Sequence, residues 1–192
     1  MLPYRANTLW RKIKSFLGLA PKVEQCYGSN NVDISSKSKS YVGYYGADVY
    51  GSTFGKLEVF NKLKLGETVF GEIVGPGIQK GYEYGLTEHK FLLFDVKVLG
   101  ADGKQSWLSP DQVIAFAKER GFEMVPELYR GPYDKDTAYA LTKGPSVFDP
   151  KQKVREGIVI KALENYSVEG NKKALKWVSE AYLNDESNTD FH

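Results

Sequence analysis

Charged side chains stand inside runs that are otherwise apolar. Glu72 lies in "VFGEIVG" and Asp95 in "LLFDVKV"; Glu156 opens "EGIVIKA", Lys161 sits near its end, and Lys176 lies in "ALKWVS". A carboxylate or ammonium placed among apolar groups without a partner is costly, so such residues are paired, ligated or turned toward a cleft. Several strands contributing one charge each therefore point to a shared polar cleft. Glu72, Asp95 and Glu156 offer oxygens suited to Mg2+ or to ribose hydroxyls, and Lys161 and Lys176 offer charge for phosphate oxygens. Phe94, next to Asp95, offers a ring on which a base can stack. Strict alternation puts Phe94 on the opposite strand face from Asp95, with Leu92 and Val96, unless a bulge intervenes. The five-residue gap between Glu156 and Lys161 raises the same parity problem, and Gly157 would permit a bulge there. Plainer readings stand beside these. Glu72 alone reads as a partly exposed strand residue, Phe94 as core, Glu156 as a partner for Arg155 or a lysine, and Lys161 as an edge-strand lysine that discourages further pairing.

These residues need elements to carry them. Glu67 to Val74 and Phe91 to Leu99 read as strands linked through the turn "GPG", and "GADGK" reads as a hairpin turn after the second. The strongest helix signal is "SPDQVIAFAKERGF", with Ser109 as N-cap, Pro110 at the first helical position, Gln112 completing a capping box and Gly121 as the stop. Upstream, Leu9, Trp10, Ile13, Phe16 and Leu17 repeat at helical spacing between Thr8 and Gly18, and a further helix is expected in "STFGKLEVFNKLK". Val23 to Tyr50 reads as turns and short strands. Downstream come a strand in "FEMVPELYRG", a short helix near Lys135 to Thr142, and strands in "REGIVIKAL" and "KKALKWVS". Residues 184–192 form a polar, frayed tail. Without a repeat, linker or low-complexity block, the chain reads as a single α+β domain, 1–192, with largely antiparallel sheets.

The totals narrow the class. At 192 residues, 42% hydrophobic and 14% aromatic, the chain is long enough for one domain with a sizeable core. A formal net charge of +2 excludes a global basic field, so any nucleic-acid contact must come from local patches such as "SSKSKS" and "KQKVR". The single cysteine, Cys26, excludes an internal disulfide framework, and with only His89 and His192 a structural zinc site is not expected. No run reaches the length of a membrane span, and the expected location is the cytoplasm.

"FGEIVGPGIQK" and "KFLLFDVKV" resemble the third nucleotidyltransferase motif and its companion strand, "REGIVIKA" resembles the fourth, and "KKALKWVS" is a looser likeness of the fifth. In this order and spacing they are similar to ATP-dependent RNA ligases of the RNA ligase 2 type. Those belong to the covalent nucleotidyltransferase superfamily, with DNA ligases and mRNA capping enzymes. The resemblance implies a nucleotidyltransferase (ATP-grasp-like) adenylation domain, with antiparallel sheets flanking a nucleotide cleft. It also implies ATP and Mg2+ as cofactors and RNA or nicked nucleic-acid ends as partners. Carried over, it has Glu72 binding the ribose, Phe94 stacking on adenine and Asp95 in the same pocket. Glu156 would support metal or phosphate chemistry, Lys161 would contact phosphate, and Lys176 would assist at the α-phosphate. The fifth motif usually carries two lysines separated by one residue, whereas Ala174 or Val178 stands in the second place here.

The family starts catalysis with a lysine in Lys-x-Asp-Gly or Lys-x-His-Gly, which attacks the α-phosphorus of ATP, expels pyrophosphate and becomes lysyl-AMP. No such motif occurs in this sequence. Either "VEQCYGSN" occupies that position, with Gln25 in place of the lysine and Tyr27 in place of the Asp or His, or an N-terminal portion or second chain supplies the nucleophile. We favour an incomplete N-terminus, because RNA ligase domains are longer and the distance from Gln25 to Glu72 is short. The function expected is an ATP-dependent RNA ligase with its first step in doubt. The alternatives are a catalytically inactive ATP- or RNA-binding module and, more weakly, a DNA ligase or capping-type enzyme.

Overall fold

The computed structural model describes residues 26–29, 32–35, 49–79, 84–149 and 151–184. The expected helix over residues 8–18, Gln25 and the tail beyond residue 184 lie outside them.

The frame is an antiparallel sheet in the order β3-β4-β5, with β3 Glu67–Val74, β4 Lys90–Leu99 and β5 Gln105–Trp107. Before it come a hairpin of β1 Cys26–Ser29 and β2 Val32–Ser35, helix α1 Val49–Lys56 and a 3-10 turn Val59–Lys62. The helix expected through Lys64 is thus split, because Glu58 takes left-handed backbone angles (φ 50°, ψ 36°) that no α-helix continues through. Tyr27 brings the hairpin onto this region by packing its ring against Phe54 and Phe60.

Helix α2, Pro110–Arg120, has the ends read from its sequence. Ser109 accepts from the Gln112 backbone, Gln112 accepts from the Ser109 backbone, and Gly121 closes the helix in the left-handed region. Its Val113, Phe116 and Ala117 pack on Phe91, Leu93 and Val96 of β4, with Val69, Ile73 and Phe54 around them. This core covers one face of the sheet. The expected strand in "FEMVPELYRG" reduces to a parallel bridge between Met124 and Leu93: the Leu93 N–H donates to the Glu123 carbonyl and the Val125 N–H to the Leu93 carbonyl. Beyond Val125 the segment makes no further backbone hydrogen bond to β4 among the described residues, and Pro126 fixes a φ of about −65°, outside the usual strand range.

After α3, Lys135–Leu141, the chain forms a two-stranded sheet of β6 Gly157–Lys161 and β9 Ala174–Val178. A hairpin of β7 Ser167–Val168 and β8 Asn171–Lys172 is inserted between them, and α4, Glu180–Leu183, follows. The described architecture is mixed helix and sheet, with every strand pair antiparallel. No helix among the described residues is long and apolar enough to cross a membrane.

Candidate functional site

The parity problem at Phe94 is resolved by a bulge. Phe70 pairs with Asp95, but the next residue, Gly71, pairs with Leu93, leaving Phe94 as the extra residue of β4. Core-facing positions shift accordingly from Phe91 and Leu93 to Val96. Phe94 and Asp95 therefore address the same side, away from α2, and this side also carries Glu72, which pairs with Leu92. Glu72 is solvent-exposed, as a ligand contact requires. The glycine before it has a packing reason, since a Cβ at position 71 would lie 2.4 Å from the Phe91 ring and 2.6 Å from the Leu92 carbonyl oxygen.

Asp95 is the hub of this side. Its carboxylate is fully buried and accepts from Lys161 Nζ (2.8 Å) and the Tyr166 hydroxyl (2.8 Å) on Oδ1, and from Lys172 Nζ (2.6 Å) on Oδ2. Burial pushes its pKa up, but the hydrogen bonds from Lys161, Lys172 and Tyr166, with the charge of Lys161, outweigh that and hold it below the ordinary aspartate value. Tyr166 is driven the other way, first by burial and then by the adjacent carboxylate, so its phenol stays protonated. Lys161 also donates to the Phe94 carbonyl. The two ammonium groups lie 5.8 Å (Lys161) and 5.7 Å (Lys172) from the Phe94 ring centroid. Two cations and an aromatic ring thus surround one carboxylate, leaving local charge in excess for an anion beside a stacking surface.

Trp107 sets the position of Lys172. Its indole N–H donates to the Gly170 carbonyl (3.0 Å) in the β7–β8 turn, its ring lies 4.8 Å from Phe70, and Lys97 and Lys172 stand over it at 5.0 and 4.9 Å. Nothing in the sequence marks Lys172, Tyr166 or Trp107 as site residues. The lysine doublet "NKK" is a weak signal by itself, and the partner of Lys172 lies 77 residues earlier.

The second sheet carries the other expected residues. Pairing from Gly157↔Val178 to Lys161↔Ala174 runs without interruption, so the bulge that Gly157 would permit does not form, and Glu156 lies just before the strand. Gly157 is needed for another reason: its φ is +155° and a Cβ there would lie 2.2 Å from the Trp177 carbonyl oxygen. Lys176 pairs with Val159 across the sheet, so it shares a face with Lys161 two residues along. Its ammonium meets Glu156 Oε1 at 2.5 Å, a partly exposed ion pair distinct from the Asp95 cluster. In "GPGIQK", Gln79 donates to the Tyr182 hydroxyl (2.8 Å), tying the segment after β3 to α4. Among the described residues no three His, Cys, Asp or Glu side chains converge as a metal cage.

Comparison with known proteins gives this geometry a context. A family model described as RNA ligase matches residues 26–178. Structures of the Naegleria gruberi RNA ligase share the fold: a variant solved with ATP and Mn has a TM-score of 0.59 at 21% identity, covering 82% of this chain and 47% of that one. The same ligase with PPi gives 0.59 at 21% identity, with 82% and 46% covered. A variant with AMP and Mn gives the same TM-score, identity and coverage as the PPi complex. The chain thus spans less than half the length of the structures it matches.

Proposed function

Because the chain belongs to the RNA ligase family, we propose that it is the nucleotide-binding part of an ATP-dependent RNA ligase, joining or repairing RNA ends through adenylylated intermediates on a nucleotidyltransferase fold. The observation that carries this reading is the bulge at Phe94, which puts the ring, the Asp95 cluster and the exposed Glu72 on one side of the sheet. Adenine stacks on Phe94 and Glu72 accepts from the ribose. Lys161 and Lys176, on one face of the β6–β9 sheet, meet the phosphates, and Lys172 adds a third cation. Asp95 touches no ligand in this scheme; with both oxygens engaged, it is a positioning residue that aims Lys161 and Lys172.

The ATP, AMP, PPi and Mn named for the Naegleria gruberi structures support ATP and a divalent ion for this chain as well. Mg2+ is commonly held by one or two carboxylates and the substrate phosphates rather than by an all-protein cage. Glu156 is the carboxylate suited to that contact, beside Lys176. The ion would spread the charge that builds on the phosphate oxygens.

Chemistry then follows the order expected for the family. A lysine nitrogen attacks the α-phosphorus and pyrophosphate leaves with the bonding pair; a 5′-phosphate oxygen then attacks that phosphorus, breaking the N–P bond and releasing the lysine amine; a 3′-hydroxyl oxygen attacks the 5′-phosphorus and AMP leaves with the bonding pair. The cleft cations stabilise the phosphoryl charge in each step. The nucleophile of the first step is not supplied by a Lys-x-Asp/His-Gly motif in this sequence. That absence favours a second reading, a module that binds ATP or RNA without self-adenylylation.

Equilibrium binding of ATP with Mg2+ tests the cleft. Phe94→Ala and Lys161→Ala are each expected to weaken it by about tenfold or more, given the worth of base stacking and of a hydrogen bond to a charged group. ATP binding that neither variant changes would remove the reading.

A further inference from the structure

The β6–β9 sheet has a second side. Ile158 pairs with Trp177, so the Trp177 side chain lies opposite the face shared by Lys161 and Lys176. There a cavity of about 260 Å³ opens between α3, the segment before β6 and the start of α4. Tyr139 and Trp177 both line it, with ring centroids 5.8 Å apart and planes tilted by 39°. Lys143 and Lys153 also line it, and Lys143 Nζ stands 4.0 Å from the Tyr139 ring centroid. Glu180 is the acidic member of the lining, its carboxylate 3.5 Å from the Tyr139 hydroxyl. Both lysines are exposed, and exposed Lys151 continues the basic tract "KQKVR" beyond the cavity.

We propose that this cavity is a subsite for one nucleotide of single-stranded RNA, separate from the ATP cleft on the opposite face of the same sheet. Aromatic carbon from Tyr139 and Trp177 suits a base, and stacking of this kind tolerates any sequence. Lys143 and Lys153 suit the flanking phosphates. Their continuation into Lys151 matches a chain of phosphates better than a lone nucleotide. The Glu180 carboxylate repels phosphate but accepts from a 2′-hydroxyl or an exocyclic amine, so base and ribose enter the cavity while the backbone stays on the lysines. The volume lies just under the ~300 Å³ at which small-molecule sites begin, room for a base and not for a folded RNA element. The inference rests on the ligase reading for the choice of RNA as ligand.

The test pairs RNA binding with ATP binding on the same 192-residue chain. A fluorescent single-stranded RNA of about twelve nucleotides is titrated at several salt concentrations against wild type and K143A/K153A. The double variant is expected to bind about tenfold more weakly, with a log–log salt slope shallower by about 1.4, two contacts at about 0.7 each on a single strand. Its ATP affinity should be unchanged. A 4-thiouridine version of the same RNA, irradiated and mapped by peptide mass, is expected to cross-link at Tyr139 or Trp177. Equal RNA affinity and salt slope in the double variant, or cross-links confined to peptides of the ATP cleft, would overturn the proposal. A wild-type chain that binds ATP but no RNA also overturns it and leaves the cleft reading standing. RNA binding that depends on Lys143 and Lys153 in a chain that binds no ATP supports the subsite and removes the cleft reading.

Discussion

At the scale of single residues, the decisive group is Asp95, a carboxylate with no exposure that balances two ammonium groups. Replacing it by asparagine removes the countercharge while leaving Lys161 and Lys172 aimed at the same point. Leaving a fully buried charge unpaired costs about 3–5 kcal/mol, but Lys161 and Lys172 keep access to water, so Asp95→Asn is expected to lower unfolding free energy by about 2 kcal/mol. The pH dependence has a definite sign. The folded-state pKa of Asp95 lies below its ordinary value of 3.8, so its contribution is fully present above that value and is lost as pH falls through the lowered one. Urea unfolding from pH 7 down to pH 3 should show wild type losing part of its stability below about pH 4, toward the already reduced level of Asp95→Asn. Parallel curves for the two proteins would show that the cluster carries no such linkage. Gly71 gives a steric counterpart. Gly71→Ala must move both the Phe91 ring and the Leu92 carbonyl, and overpacking of this kind costs about 1–3 kcal/mol, readable in the same titration at neutral pH.

At the scale of elements, the helix and the small hairpin should respond differently. Ser109→Ala removes a capping box from α2 on the core side of the sheet, so it is expected to cost about 1 kcal/mol while leaving ATP affinity intact. Trp107→Leu removes the indole donor to Gly170 and the ring beneath Lys172. Amide exchange in β7–β8 should then accelerate selectively and ATP affinity fall, whereas exchange uniformly faster across the sheet would mean that Trp107 supports the whole fold. The contrast also separates what was legible in the sequence from what was not. The α2 boundaries follow from local chemistry at Ser109, Gln112 and Gly121, and β3, β4, β6 and β9 from apolar runs, so the strands bearing Glu72, Asp95, Lys161 and Lys176 could be read directly. The bulge at Phe94 could only be left open, because it depends on how Gly71 and Leu93 come to face each other across the sheet. Lys172 and Tyr166 were hidden because a short hairpin folds them onto a strand about seventy residues earlier, and nothing local to "NYSVEGNKK" records that partner. The expected strand in "FEMVPELYRG" failed for the opposite reason: its apolar residues pack beside β4 with only one bridge.

At the scale of the whole molecule, this chain spans less than half the length of the matched structures, and the proposed cleft carries Lys161 and Lys176 without a Lys-x-Asp/His-Gly motif anywhere in the sequence. These facts divide the ligase reaction into a part this chain is not expected to perform and a part it is. Forming lysyl-AMP needs the missing lysine, so incubation with ATP and Mg2+ should leave the intact mass unchanged. Sealing a pre-adenylylated nick needs only that a 3′-hydroxyl oxygen reach the 5′-phosphorus while AMP departs from a site that binds it. In the proposed roles of Phe94, Lys161 and Lys176, those residues would supply positioning of that kind. Slow sealing of a pre-adenylylated RNA nick is therefore expected, abolished by Lys161→Ala and unaffected by added ATP-regenerating reagents. A mass gain of one AMP, mapped to a lysine peptide, would instead identify a substitute nucleophile within the chain. Failure to seal by a chain that binds ATP normally would move the assignment to the binding module, since the cleft would then hold its nucleotide without bringing the RNA ends to it.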